Sequence, residues 1–235
     1  ILNAEGHPVR FANIVYDESH QLIEEFMLSA NEAVAEAILG SGRPGIYRIH
    51  EDPDPAKLDE LRGLYIASGF PCGDLKVKGE IQKVLNAFAG KPEEHVLKVA
   101  LLKSLKRAAY SADSIGHFGL SLQHYTHFTS PIRRYADLIV HRALQPLLEN
   151  PPKPHDRTPS QADLYEISRH ISDTERTSSD AESETKQIKL LEYLDRVASA
   201  DEPPVFNGLI TDVRPMGLMV EIPDMGVRGV VKRED

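Results

Sequence analysis

Tyr125-Thr126-His127-Phe128-Thr129-Ser130-Pro131-Ile132-Arg133-Arg134-Tyr135-Ala136-Asp137 sets two adjacent arginines where a helix is expected to begin. Ser130 is a favoured N-cap type, Pro131 suits the first helical position, and an apolar stripe follows at Ile132, Tyr135, Ile139 and Ala143. The pattern predicts a helix from Pro131 to about Leu148 with both arginines in its first turn. A helix start carries about half a positive charge, so arginines there are repelled unless an anion completes the site. Free backbone N–H groups beside a guanidinium fork would cradle a phosphate. A surface helix whose arginines pair with acids elsewhere explains the same residues, because one capped helix start is a weak motif.

Working outward, helices are expected to dominate the first 150 residues. Residues 1–16 have extended character around a Glu5-Gly6 turn. Ser19 can cap a helix whose apolar positions Leu22, Ile23, Phe26, Ala30, Val34 and Ile38 keep helical spacing up to Gly40. A second helix is expected from Asp54-Pro55 to Gly69, and a third from Pro92 to about Ala109, carrying Lys98, Lys103, Lys106 and Arg107. Asn150-Pro151-Pro152-Lys153-Pro154 breaks the helical pattern, since repeated prolines cannot continue a helix. Ser160 then starts one long helix, or two, ending near Ala200, with the polar stretch Thr177-Ser178-Ser179-Asp180 as a place for a kink. Asp201-Glu202-Pro203-Pro204 marks a second boundary. Beyond it, short strand-like runs are punctuated by Gly208, Gly217, Gly226 and Gly229.

The balance of charge is acidic: 36 Asp and Glu against 27 Lys and Arg give a net charge of -9. That excludes an overall basic coat for nucleic acid, but not a local basic pocket. Between residues 121 and 144 three arginines face one aspartate. The single cysteine, Cys72, has no partner for an internal disulfide and no metal-ligand spacing around it, which points to a reducing, cytoplasmic setting. No apolar run approaches the roughly 18 residues of a membrane span. A first residue of Ile1 and an abrupt end at Asp235 suggest a piece of a longer protein.

From His117-Phe118-Gly119-Leu120 through Thr129-Ser130-Pro131-Ile132-Arg133-Arg134-Tyr135-Ala136-Asp137-Leu138-Ile139-Val140-His141-Arg142, the chain resembles the catalytic domain of the ribonuclease II and ribonuclease R (RNB) family, and the ribonuclease R branch in particular. Ile23-Glu24-Glu25-Phe26-Met27-Leu28-Ser29-Ala30-Asn31-Glu32 and Tyr47-Arg48-Ile49-His50-Glu51-Asp52-Pro53-Asp54-Pro55 agree, in family order. The runs Phe206-Asn207-Gly208-Leu209-Ile210, Gly217-Leu218-Met219-Val220-Glu221-Ile222 and Gly229-Val230-Val231 are similar to the opening strands of an S1 RNA-binding domain. The expected fold is therefore α+β: a mainly helical C-terminal part of an RNB-type catalytic domain over residues 1–200, then the first strands of an S1/OB-type β-barrel over 201–235.

The resemblance implies a processive exoribonuclease that hydrolyses single-stranded RNA from the 3' end to nucleoside 5'-monophosphates. By the same resemblance Arg133 contacts the phosphate of the RNA 3' end, a role its planar fork suits better than lysine would. Glu24 aligns with a family glutamate close to the leaving nucleotide, and Glu182 more loosely with one near the arginine. Helical spacing puts Asn31 on the face of Glu24, although Glu24 and Glu25 also read as ordinary first-turn acids. Thr129 and Ser130 could add donors to a phosphate, and Tyr125, His127 and Phe128 could line an RNA channel by stacking, with core packing as the plainer account of the rings. Arg134 divides between RNA contact and a structural ion pair, since a neighbour on a helix points about 100 degrees away. Arg142 faces the other side from Arg133.

The family's magnesium is held by an aspartate cluster written roughly Asp-Pro-x-x-x-x-Asp-x-Asp-Asp, and nothing in this chain fits it. Asp52-Pro53-Asp54-Pro55 has too many prolines and no Asp-Asp pair. Mg2+ is thus expected of the whole enzyme with ligands outside this chain. Single-stranded RNA is the expected partner, with no membrane and no obligate protein partner. The alternative is a non-catalytic RNA-binding module, either a pseudo-nuclease or a half-site partner. Aspartates encoded upstream of Ile1 favour the enzyme, whereas a start codon just before it favours the alternative. A helical scaffold with no RNA role is a third reading and predicts no salt-sensitive RNA binding.

Overall fold

The structure, a computed structural model, describes residues 1–10, 16–149, 159–223 and 225–233. It is a mixed helix-and-sheet chain with the order α1 (Glu18–Gly40), β1 (Tyr47–Ile49), α2 (Pro55–Ala67), α3 (Lys78–Phe88), α4 (Glu94–Ser104), β2 (Ala109–Ser111), a 3-10 turn (Phe118–Leu120), α5 (Tyr135–Leu148), α6 (Gln161–Ala198), β3 (Leu209–Arg214), β4 (Gly217–Ile222) and β5 (Val227–Lys232). Two compact units result: Ile1–Ile14 with Pro55–Ser104 and Glu182–Asp235, and Val15–Asp54 with Leu105–Ala181. The break predicted at Asn150–Pro154 lies outside the described residues.

The second unit carries the arginines. β1 and β2 pair antiparallel, with Arg48 opposite Tyr110. Residues 136, 139, 140 and 143 of α5, at i, i+3, i+4 and i+7, are buried and meet Ile38 of α1, Ile46, and Leu164 and Ile171 of α6 in one apolar cluster. Fully burying an isoleucine, leucine or valine stabilises by about 1.5–3 kcal/mol, so this cluster is what fixes α5 in place. The 38-residue α6 runs without interruption through Thr177–Asp180, but its buried positions in this unit end at Ser172.

In the other unit, Tyr65, Val84, Phe88 and Leu97 bring α2, α3 and α4 around one core, with the Tyr65 and Phe88 rings 5.6 Å apart. Burial pushes the Tyr65 hydroxyl up to about 12, and it donates instead to the Leu97 carbonyl at 3.3 Å. β3, β4 and β5 form a three-stranded antiparallel sheet. At Gly217, which opens β4 with a φ of +149°, a Cβ would collide with the Val231 carbonyl oxygen. Only glycine fits there. Buried Glu221 of β4 accepts from His95 of α4 at 2.6 Å and from Arg228 of β5 at 2.8 Å, which ties this sheet to the helices of its own unit.

Several expectations are corrected. Asp17, not Ser19, caps α1, accepting from the Ser19 and His20 amides, and these groups hold its carboxyl down at about 2. Leu22, Ile23 and Phe26 keep helical spacing but are exposed, so the buried face of α1 begins only at Asn31. α3 was not expected. The third predicted helix ends at Ser104, leaving Lys106 and Arg107 in the segment that leads to β2.

Candidate functional site

The arginine segment is built differently from its expected form. The helix begins at Tyr135 rather than Pro131, and Arg134 occupies the N-cap position with extended backbone (φ -125°, ψ 121°) and no side-chain cap. Pro131, Ile132 and Arg133 form a turn closed by the Ser130 carbonyl, which accepts from the amides of Arg133 and Arg134 at 3.2 Å each. Proline after serine suits such a turn as well as it suits a helix start. What decides between them is Asp137. Its carboxylate accepts the Ser130 amide at 2.7 Å on Oδ1, and takes both Nε (2.9 Å) and a terminal nitrogen (2.8 Å) of Arg134 in a two-point fork. Ser130 therefore gives its N–H to a side chain in the first turn of α5 instead of capping that helix. Arg134 still stands at the positive end of the helix, and the carboxylate of Asp137 in the first turn offsets that repulsion.

Asp137 is fully buried and the Arg134 side chain only 19% exposed, so this is an interior ion pair. It sets the turn at both ends: Ser130 by the amide, Arg134 by the fork. Arg134 is thereby spent on structure. Arg133, between them, is exposed and has no side-chain partner among the described residues. Ile132 beside it is 97% exposed, which removes it from the apolar stripe read in the sequence. The turn thus offers solvent one fixed backbone and one uncommitted guanidinium. An exposed guanidinium without a carboxylate partner among the described residues keeps all its side-chain donors for solvent or an anion.

The segment leading to the turn is anchored by a hydrogen-bonded aromatic cluster. Buried Asn31 of α1 donates to the Tyr125 hydroxyl at 3.0 Å and accepts the Phe128 amide at 2.9 Å. Tyr125 packs edge-on against His117 and His127, and the Tyr110 hydroxyl meets His127 Nδ1 at 2.8 Å. Arg48 lies 4.7 Å over the Tyr110 ring and donates to Glu175 at 2.6 Å. Phe128 has His141 stacked on it at 4.3 Å. Tyr125, His127 and Phe128 are therefore packed pieces of the platform under the turn rather than free faces for stacking bases. His50 is fixed too: it accepts the Gly119 amide on Nδ1 at 3.0 Å, so its Nε2 carries the hydrogen given to the Lys106 carbonyl at 2.7 Å.

Burial, with Arg134 and Arg48 adding to it, pushes the His127 imidazole down to about 3, while burial lifts the Tyr110 hydroxyl to about 12. Neutral His127 accepts from Tyr110 at working pH. Below about pH 6.5 the unfolded chain takes up a proton that the folded chain refuses until about pH 3. Stability contributed by this site is therefore complete above pH 6.5 and falls on acidification, with a slope of about 1.4 kcal/mol per pH unit at most. Urea unfolding at pH 7 and pH 5 should show this loss, and His127→Gln should reduce it. An equal loss in the variant would mean that other groups carry the acid sensitivity.

The remaining candidates are more dispersed. Thr129 and Ser130 are half-buried, and their hydroxyls make no hydrogen bond among the described residues. Glu24 is exposed on α1, seven residues before Asn31, and does not share a pocket with it, because Asn31 is turned inward to Tyr125 and Phe128. Glu182 is exposed on α6 and paired with Lys186, whose hydrogen bond holds the glutamate below its usual range. It falls in the unit that does not contain the turn. Among the described residues no three His, Cys, Asp or Glu side chains converge to hold a metal ion. The magnesium expected from the resemblance, with ligands outside this chain, does not fit the described residues. Sequence reasoning missed Asp137, whose signal was the i,i+3 spacing of Arg134 and Asp137, and it gave Arg48 and Tyr110 no part in the platform.

Comparison with known proteins covers most of the chain. It is 37% identical over 239 residues to Ribonuclease R of Aquifex aeolicus, spanning 99% of this chain and 32% of that protein. Against Ribonuclease R of Thermotoga maritima the identity is 39% over 238 residues, spanning 98% and 32%. The apo form of Mycoplasma genitalium RNase R superposes with a TM-score of 0.86 at 27% identity, covering 99% of this chain and 36% of that one. The same protein in complex with ribose-methylated single-stranded RNA gives 0.84 at 27% identity over the same shares. Yeast Ssd1, a pseudonuclease, shares the fold at a TM-score of 0.75 and 24% identity, over 91% of this chain and 26% of its own. The chain spans about a third of the length of the ribonucleases R it matches. An RNB domain model matches residues 1–150, which take in the arginine turn and the helices from α1 to α5, and the chain accordingly belongs to the RNB-domain family.

Proposed function

We propose that the whole protein is a processive exoribonuclease that hydrolyses single-stranded RNA from the 3' end to nucleoside 5'-monophosphates. Residues 1–200 would supply the C-terminal part of the catalytic domain, and 201–235 the opening strands of an S1-type RNA-binding barrel. The observation that carries this reading is Arg133, an exposed arginine without a side-chain partner among the described residues, on a turn whose backbone is fixed by a buried ion pair. A planar fork there can hold two oxygens of the terminal phosphate and offset the charge that grows on them as water attacks phosphorus. Glu24 is assigned to orienting the terminal nucleotide, Thr129 and Ser130 to further RNA contacts beside Arg133, and Glu182, in the other unit, to an RNA contact of its own. Relatives that are ribonucleases R, and one of them solved with single-stranded RNA, support the substrate class. The single thiol in 235 residues supports a cytoplasmic location. Magnesium, expected of the family, finds no ligand set among the described residues.

The test has two arms. The polypeptide extended to the length of its relatives should shorten a 5'-labelled single-stranded RNA stepwise from the 3' end in magnesium, with mononucleotides as product. Internal cuts would overturn the proposal, and salt-sensitive binding without any shortening would assign a non-catalytic RNA-binding module instead. The 235-residue chain alone should bind the same RNA without degrading it. Magnesium-dependent decay by the purified chain would show that the metal site lies within it after all.

A further inference from the structure

A second cluster of arginines lies away from the turn. A cavity of about 340 Å³ in the second unit is lined by Arg48 from β1, Arg107 from the segment before β2, and Ser172, Glu175, Arg176 and Ser179 from α6. The α6 residues fall at i, i+3, i+4 and i+7, so they share one face of the helix. Three guanidinium groups meet one carboxylate here, in a chain whose acids outnumber its bases 36 to 27. That carboxylate is occupied, since Glu175 takes Arg48 at 2.6 Å. Ser172 is occupied as well, between the Tyr110 amide and the Ser168 carbonyl.

The remaining groups suit an oxyanion. Arg107 is exposed and has no partner among the described residues, and the Ser179 hydroxyl has none either. Arg176 is held only by a loose, exposed ion pair to Asp173 at 3.7 Å, which an oxyanion can displace. Arg48 is the fixed member: its side chain is 14% exposed and held by Glu175 and the Tyr110 ring, and those two contacts leave donors over from its five N–H groups. One oriented, largely covered guanidinium beside two exposed ones can grip a phosphate through several forked donors. None of these residues belongs to the Arg133 turn.

We propose that this cavity is a second oxyanion site, which takes a phosphate group either from the backbone of single-stranded RNA or from a free phosphate or nucleotide. The RNA source rests on the function proposed above, whereas the oxyanion chemistry does not. The probe is Arg107→Ala/Arg176→Ala in the full chain. Both side chains are exposed, so the unfolding midpoint should not move. One arm follows a fluorescent ten-residue oligouridylate by anisotropy at several salt concentrations. The other follows inorganic phosphate by calorimetry.

For the RNA backbone, the double variant should bind the oligonucleotide about tenfold more weakly at low salt, with the slope of log affinity against log salt reduced by about 0.7, the value for one phosphate of a single strand. If RNA binding is unchanged but phosphate binding is lost in the variant, the site stands and its ligand is the free anion. If wild type binds RNA and the variant matches it in both arms, the proposal is overturned while the proposed function survives. If wild type binds no RNA at any salt, the proposed function fails, and the phosphate arm alone decides the site.

Discussion

Arg133→Ala, in the polypeptide extended to the length of its relatives, should slow turnover of single-stranded RNA by about 10²–10³-fold while RNA affinity falls only a few-fold. That loss corresponds to about 2.7–4 kcal/mol, the magnitude seen when one donor to a developing oxyanion is removed. The split between turnover and affinity follows from position. Arg133 is a single exposed residue on a fixed turn, and under the proposed function its removal costs one phosphate contact of many in binding but the one aimed at the reacting group in chemistry. Arg133→Lys should recover little of the turnover, because the charge returns without the fork. Single-turnover kinetics with a labelled oligonucleotide measures both quantities. Turnover near wild type would remove Arg133 from the reacting end.

Asp137→Ala should cost stability rather than chemistry, by about 3–5 kcal/mol, because it strands the guanidinium of Arg134 in the interior and leaves the Ser130 amide without its acceptor. Arg134→Ala should cost a similar amount by stranding the fully buried carboxylate. A pair of this kind gives much of its attraction back in lost hydration, so the double replacement Arg134→Met/Asp137→Leu should be far less damaging than either single change. Urea denaturation of the three variants gives the coupling directly. Single changes each worth less than about 1 kcal/mol would mean that the pair is wet and that something else holds the turn.

The same pair explains where reading the sequence stopped short. Ser130-Pro131 is a sound local signal for a helix start, and it lost to a carboxylate seven residues on that takes the serine amide and pulls Arg134 into extended backbone. Local preference is worth about 1 kcal/mol, less than an interior ion pair can impose. α1, α2 and α5 were legible because their apolar positions keep helical spacing, whereas α6 was placed by Ser160 and the proline break before it. α3 was not: it lies between Gly73 and Gly90, has Val77 at its N-cap with no side-chain cap, and is 11 residues long. β1 and β2 have three residues each, too few for any alternation to show. Periodicity also tells which face of a helix is apolar without telling whether anything covers it, as exposed Leu22, Ile23 and Phe26 illustrate. Of the turn, the ion-pair alternative for Arg134 was legible. The inward commitment of Tyr125, His127 and Phe128 was not, because an aromatic residue reads alike whether it packs or stacks.

Asn31 uses its amide as donor to Tyr125 and as acceptor for Phe128, so α1 cannot roll about its own axis without breaking one bond or the other. Ala35 and Ile38 are buried beyond it, so every inward anchor of α1 lies in its C-terminal half. Glu24 lies seven residues before Asn31, about 10 Å along the helix, on the half that no buried side chain holds. The helix is thereby a beam clamped at one end, and Glu24 sits on its overhang.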